Sequence, residues 1–259
     1  MIRTFFFLSI TFFFTLSSGL ETVETDLSHV DSKERKALAP YELPEDHPIW
    51  PIVSSLFSQE RVTQNELSLI AAGFTILHLQ PRSFITVASH PSLPGYLFKI
   101  YLDAQRRKKL GIDWWKWFHR RLQGVKKVQK ALTFINSRFF KAPKKWIYFL
   151  PKEPYPLENP ELLRKDEILI VENMDLASEA ENLNAWKTCI TKEHLDELFF
   201  IMKYGGGSSY RPDNIALTNE GTFAFIDTEY PQKKADFNTI TPFLSDEMQE
   251  YWKRKIKRG

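Results

Sequence analysis

The chain has 259 residues, a formal net charge of +3 and 43% hydrophobic content, enough apolar material for one large or two small domains with a buried core. Fourteen per cent aromatics, including 21 Phe, exclude disorder over most of the length. A single cysteine, Cys189, excludes an internal disulfide framework and a cysteine-based metal cluster, and six scattered His with no pair at ligand spacing argue against zinc.

Residues 1–19 read as a signal peptide. Arg3 gives a positive start, Phe5 to Leu16 is an apolar run, and Ser17-Ser18-Gly19 offers small residues for cleavage. The run is shorter than the roughly 20 residues a bilayer span needs, so export is expected, with an uncleaved anchor as the alternative. Residues 20–60 are polar and then punctuated by Pro40, Pro44, Pro48 and Pro51, which suits a linker or a strap on the domain surface, with Trp50 and Ile52 as anchors. A helix is expected over 60–72, with Thr63 as N-cap and Leu67, Leu69 and Ile70 as its apolar positions, ended by Gly73.

Residues 84–101 form the clearest hairpin, Phe84 to Ala88 returning as Tyr96 to Tyr101. Lys99 is a lone charge in the apolar return strand and reads equally as an ordinary lysine on a solvent face. A long basic helix follows over 105–136, with Phe118, Leu122, Val125, Leu132 and Ile135 at helical spacing. Between Gln105 and Lys145 there are fourteen Lys or Arg and one acid, Asp113. With Trp114, Trp115 and Trp117 beside it, this stretch suits an anionic membrane surface or an acidic protein partner; the plainer reading is a solvated face with the Trp residues in the core. Nucleic acid is not expected, since export disfavours it and no motif supports it.

Strands are expected at 145–150 and 168–171, followed by Glu172-Asn173-Met174-Asp175. Cys189 reads as a small buried residue ahead of a helix over 192–203, capped by Thr191 and stopped by Gly205-Gly206-Gly207. Then come Tyr210-Arg211-Pro212-Asp213-Asn214, an apolar strand, a turn at Asn219-Glu220-Gly221, and Phe223-Ala224-Phe225-Ile226-Asp227. This hairpin brings an amide oxygen and a carboxylate together, hard ligands of the kind Mg²⁺ takes beside phosphate oxygens. A last helix is expected near 244–257.

Arg211-Pro212-Asp213-Asn214, with Asp227 thirteen positions after Asn214, resembles the catalytic loop and metal-binding Asp of the protein-kinase-like (kinase and aminoglycoside phosphotransferase) superfamily. The resemblance implies an α+β, bilobal fold with a small antiparallel-sheet N-lobe over 61–175 and a short, mainly helical C-lobe over 176–259. It implies Mg²⁺ held by Asn214 and Asp227, and ATP met by Lys99 and by a hinge at Glu172 and Met174. Three family features are missing. Ser209 stands where the catalytic Asp belongs, Gln80-Pro81-Arg82-Ser83 replaces the glycine-rich loop, and no Glu between Asp103 and Glu153 can pair with Lys99, leaving Asp103 or Asp113 as substitutes. Glu229 reads as the partner of a surface lysine, with a second metal carboxylate as the alternative. The implied function is an exported pseudokinase or nucleotide-modulated binding module. The alternatives are an active atypical phosphotransferase using Mg-ATP and a basic-surface adaptor.

Overall fold

The computed structural model describes residues 26–58, 61–80, 84–105, 111–152, 162–207 and 210–259. The signal-peptide stretch, the 106–110 basic run, Pro81-Arg82-Ser83 and Ser209 lie outside them. The architecture is α+β, built on a five-stranded antiparallel sheet and helices. No helix among the described residues is long and apolar enough to cross a membrane.

The sheet comprises β1 (Thr75–Gln80), β2 (Ile85–Ser89), β3 (Tyr96–Ile100), β5 (Lys145–Phe149) and β6 (Glu167–Glu172), in the order β1-β2-β3-β6-β5. The expected hairpin is β2–β3, with Val87 opposite Lys99 and Ala88 opposite Phe98. Period-two alternation then assigns the faces. Ala88, Phe98, Ile100, Ile168 and Ile170 pack on one side, and Ile85, Ile147, Leu169 and Val171 on the other. Since Phe98 and Ile100 are fully buried, Lys99 between them must turn to the second side.

That second side is covered by α4 (Trp114–Phe134), the helix between β3 and β5. Among the described residues it is shorter than the sequence suggests: Asp113, in extended backbone, precedes it, and Gly111 lies at φ +66°. Phe118, Leu122 and Val125 are buried as expected, with Trp114 and Trp117, whereas Leu132 and Ile135 are only partly buried. The tryptophans therefore serve the core, and a membrane-facing role has to rest on other residues.

The stretch expected as a strap carries two packed helices, α1 (Ser32–Leu38) and α2 (Trp50–Ser58). Leu38, Leu43, Val53 and Phe57 are buried, while Ile52, an expected anchor, is exposed. Leu43 N–H donates to Ile147 O at 2.8 Å, which ties this segment to β5. The next helix, α3 (Glu66–Ala71), starts two residues later than a Thr63 cap would put it. Asn65 is the N-cap, accepting from Ser68 N–H at 3.0 Å. Thr63 and Gln64 lie in a turn ahead of it, their carbonyls receiving Asp103 and Ala104 N–H. Leu69 is buried, but Leu67 and Ile70 face solvent.

After β6 come α5 (Glu179–Thr188), α6 (Lys192–Gly205), the hairpin β7 (Ile215–Leu217) and β8 (Phe223–Phe225), and α7 (Asp246–Arg258). β8 also pairs in parallel with β4 (Phe140–Lys141). Thr191 caps α6, and Leu195, Leu198 and Met202 are buried as the spacing requires. Together with Trp186, Phe223, Phe225 and Trp252 they form a second core, centred away from the large sheet. Cys189 is exposed, contrary to expectation, because it closes the C-terminal end of α5 instead of packing beneath it.

Candidate functional site

Lys99, Glu172, Met174, Asn214 and Asp227 all line one cavity of about 680 Å³. Its apolar wall comes from the sheet (Ile85, Val87, Leu97, Val171) and its polar end from the exit of the β7–β8 hairpin. The hairpin brings Asn214 and Asp227 together through backbone pairing. Ile215 sits opposite Phe225, and Ile226 N–H donates to Asn214 O at 2.9 Å, so Asp227 emerges one residue beyond Asn214's partner.

Two further residues hold this loop. Asn182 on α5, buried, donates from Nδ2 to Pro212 O and accepts from Leu217 N–H, both at 2.8 Å. Trp186, one turn on, donates from Nε1 to Ile215 O at 2.9 Å. Buried polar groups bridged on both sides in this way fix the backbone around Asn214.

The electrostatic centre is a residue absent from the expected site. Arg121 lies on the inner face of α4, 3% exposed. Its Nε donates to Asp227 Oδ1 at 3.3 Å, Nη1 donates to Tyr101 Oη at 3.1 Å, and Nη2 donates to Glu229 Oε1. Glu229 thus pairs with a buried arginine, not with a surface lysine. The helix is also bound to this segment by its backbone, since Thr228 Oγ1 donates to Arg121 O at 2.9 Å. Neither aspartate considered as a partner for Lys99 reaches it. Asp103, fully buried, accepts from Arg61 Nε at 2.7 Å and Lys165 N–H at 3.0 Å. Asp113 pairs with Lys116 at 2.8 Å.

Lys145 joins Lys99 on this face of the sheet, donating from Nζ to Ile226 O at 3.2 Å. Burial and the like charge of Lys99 push Lys145 down to about 7. Burial also lowers Lys99, although the charges of Asp227 and Glu229 act in the other direction. For Asp227, burial favours the neutral acid, but Arg121, Lys99 and Lys145 outweigh it and hold the carboxyl well below the usual range. Arg121 remains charged, because its anionic neighbours more than offset the penalty of burial.

No protein-family model matches the chain, and a comparison with curated proteins finds no match.

The donor set fits a divalent cation poorly. Asp227 Oδ1 already receives Arg121 Nε and, at 2.9 Å, its neighbour Thr228 N–H. Glu229, the second carboxylate, is also held by Arg121. Among the described residues no cluster of three or more His, Cys, Asp or Glu could hold a metal. A cation between Asn214 and Asp227 would face the Arg121 guanidinium, with Lys99 and Lys145 on the same face of the sheet. The arrangement is better matched to an anion entering from the apolar side.

At the other end of the cavity, Glu172 Oε2 accepts from Lys144 N–H at 2.7 Å, and Asn173 N–H donates to Gly95 O at 2.8 Å. These bonds fix the chain leaving β6 against the β2–β3 turn, with Met174 presented to the cavity. Sequence reasoning missed Arg121, Lys145 and Asn182. Arg121 had a visible signal: it lies three residues after Phe118 and one before Leu122, inside the apolar arc of α4.

Proposed function

We propose that this chain is a kinase-like nucleotide-binding module which binds its ligand without transferring phosphate. The observation that carries this is the convergence of Lys99, Glu172, Met174, Asn214 and Asp227, chosen from separate parts of the sequence, on one cavity. The topology supports it: an antiparallel five-stranded sheet with a helix between its third strand and the strands that follow, then a connecting segment, helices and a short hairpin, is the order that superfamily uses. The apolar sheet wall suits a flat aromatic base, and the cationic end suits phosphates. Binding without transfer follows from Ser209, which offers no carboxylate to accept a proton; general-base loss of this kind costs a factor of about 10²–10⁴. The signal-peptide-like pattern of residues 1–19 supports an exported location for the module.

The basic-surface alternative is less well supported, because several of its residues contact the rest of the fold. Lys127 donates to Pro231 O at 2.6 Å, Lys126 lies over the Tyr41 ring at 4.1 Å, and Arg121 is buried.

Isothermal titration with ATP, run with and without Mg²⁺, tests the reading. Wild-type protein should bind under at least one condition, and Lys99→Met should weaken binding by about tenfold or more, the size of one lost charge-assisted contact. Absence of binding under both conditions removes the reading.

A further inference from the structure

We infer that the cleft binds the phosphates of its ligand without a divalent cation, the Arg121 guanidinium taking the place a metal would occupy beside Asp227. This rests on the nucleotide-binding reading above and departs from what the kinase resemblance implies about magnesium.

Three observations carry it. Asp227 Oδ1 is engaged twice, by Arg121 Nε at 3.3 Å and by its neighbour Thr228 N–H at 2.9 Å, so one of its two oxygens is already committed to the guanidinium. Arg121 is not free to swing aside for a metal. It is buried, it also donates to Tyr101 Oη and Glu229, and its own carbonyl accepts Thr228 Oγ1. Third, the inner end of the cavity sets Arg121 and Lys99 against two carboxylates, Asp227 and Glu229, so the protein's own cationic side chains already face the acids that a metal would otherwise bridge. The two other carboxylates lining it already have basic neighbours, Glu172 with Lys144 and Asp213 with Arg211.

In a metal-bridged site the protein supplies anions and the metal supplies the positive charge that meets phosphate. Here the protein supplies that charge itself. An arginine held by two carboxylates and a phenol is pre-oriented, so little side-chain freedom is lost when phosphate arrives.

The test is titration of the full chain with ATP in excess EDTA and again in excess Mg²⁺. The expected result is binding in both, with affinities within about threefold of each other. Binding that appears only with Mg²⁺ overturns this inference and leaves the nucleotide reading intact. Absence of binding in both removes the two together. The Asp227→Asn variant keeps an acceptor for Arg121 and so should fold. In EDTA it should bind ATP about threefold more tightly, because a negative charge near the phosphates is gone. A loss of tenfold or more in that variant would show that the carboxylate is needed for binding, and the inference fails.

Discussion

Arg121 and Asp227, on α4 and at the exit of the β7–β8 hairpin, meet at 3.3 Å, so an ion pair joins the helix under the large sheet to the hairpin that Asn214 precedes. A buried pair of this kind owes its effect to completeness. Removing one partner leaves the other charge in a poorly solvated place, and Glu229 depends on the same guanidinium. Arg121→Met should therefore lower the unfolding free energy by about 3–5 kcal/mol, the usual cost of orphaning a buried charge. Adding Asp227→Asn and Glu229→Gln to the same chain should recover a large part of that loss. Urea unfolding of the single and triple variants decides it. If the single variant is as stable as wild type, the ion pair has no role in holding the helix to the hairpin.

Gly124 reports on the same junction from the backbone side. A Cβ placed there would lie 1.9 Å from Thr228 O, a backbone atom that cannot step aside cheaply. On a free helix Ala would be favoured over Gly by about 1 kcal/mol. Gly124→Ala should instead destabilise by about 1–3 kcal/mol, the range for overpacking a well-filled interior. Thermal unfolding gives the sign directly. A stabilised variant would mean that α4 and the 227–229 segment are not in close contact in solution.

What the sequence made legible follows how local each signal is. The β2–β3 hairpin and α6 announce themselves by alternation, helical spacing and the cap at Thr191, and α7 falls where a last helix is expected. The strand β1 did not, because its pairing with β2 slips between Ile76 and His78 and so disturbs the period-two pattern. The helix α5 was visible in principle: Ser178 and Glu181 form a reciprocal capping box, a signature that can be read without a structure. The candidate site was half legible. The chain's own spacing joined Asn214 to Asp227, and the hairpin pointed to Lys99. Arg121 was hidden by a general habit, that of assigning charge in a basic helix to solvent. Its partners come from the far end of the chain, and no local pattern predicts such a contact.

Asn182 should matter out of proportion to its size. It is buried, and its amide satisfies Pro212 O and Leu217 N–H on either side of Asn214. Asn182→Ala leaves both groups without that partner, and each buried polar group left so costs about 1–3 kcal/mol. The variant should lose about 2–6 kcal/mol in total. It should also weaken ATP binding, since the loop bearing Asn214 is no longer fixed. Chemical denaturation and titration calorimetry on one preparation check both. Loss of stability with unchanged binding would separate Asn182 from the site.

A pair of carboxyl groups gives the molecule a pH dependence that can be isolated. Glu34 on α1 and Glu167 on β6 are both buried near each other, and each keeps a buried carboxyl oxygen without a hydrogen-bond partner. Burial pushes Glu34 up to about 7, with the negative charges of Asp166, Asp31 and Asp113 adding to it. Glu167 is raised as well, first by burial and then by Glu34. A carboxyl raised in the folded state binds its proton more tightly there than in the unfolded chain. Its contribution is therefore complete below the ordinary value of 4.5 and is lost as pH rises through about 7. Other groups titrate across the same range in the opposite sense; burial lowers His29 and His194, for example. The informative quantity is thus the difference between wild type and Glu34→Gln, which mimics the protonated form. The two should be nearly equally stable at pH 5, and the variant should be more stable by about 1–3 kcal/mol at pH 8. Hydrogen exchange should place the change at α1, whose contact with the sheet the pair secures. A difference that stays constant across this pH range would mean that Glu34 ionises as an ordinary surface carboxylate and that α1 is held by its apolar contacts alone.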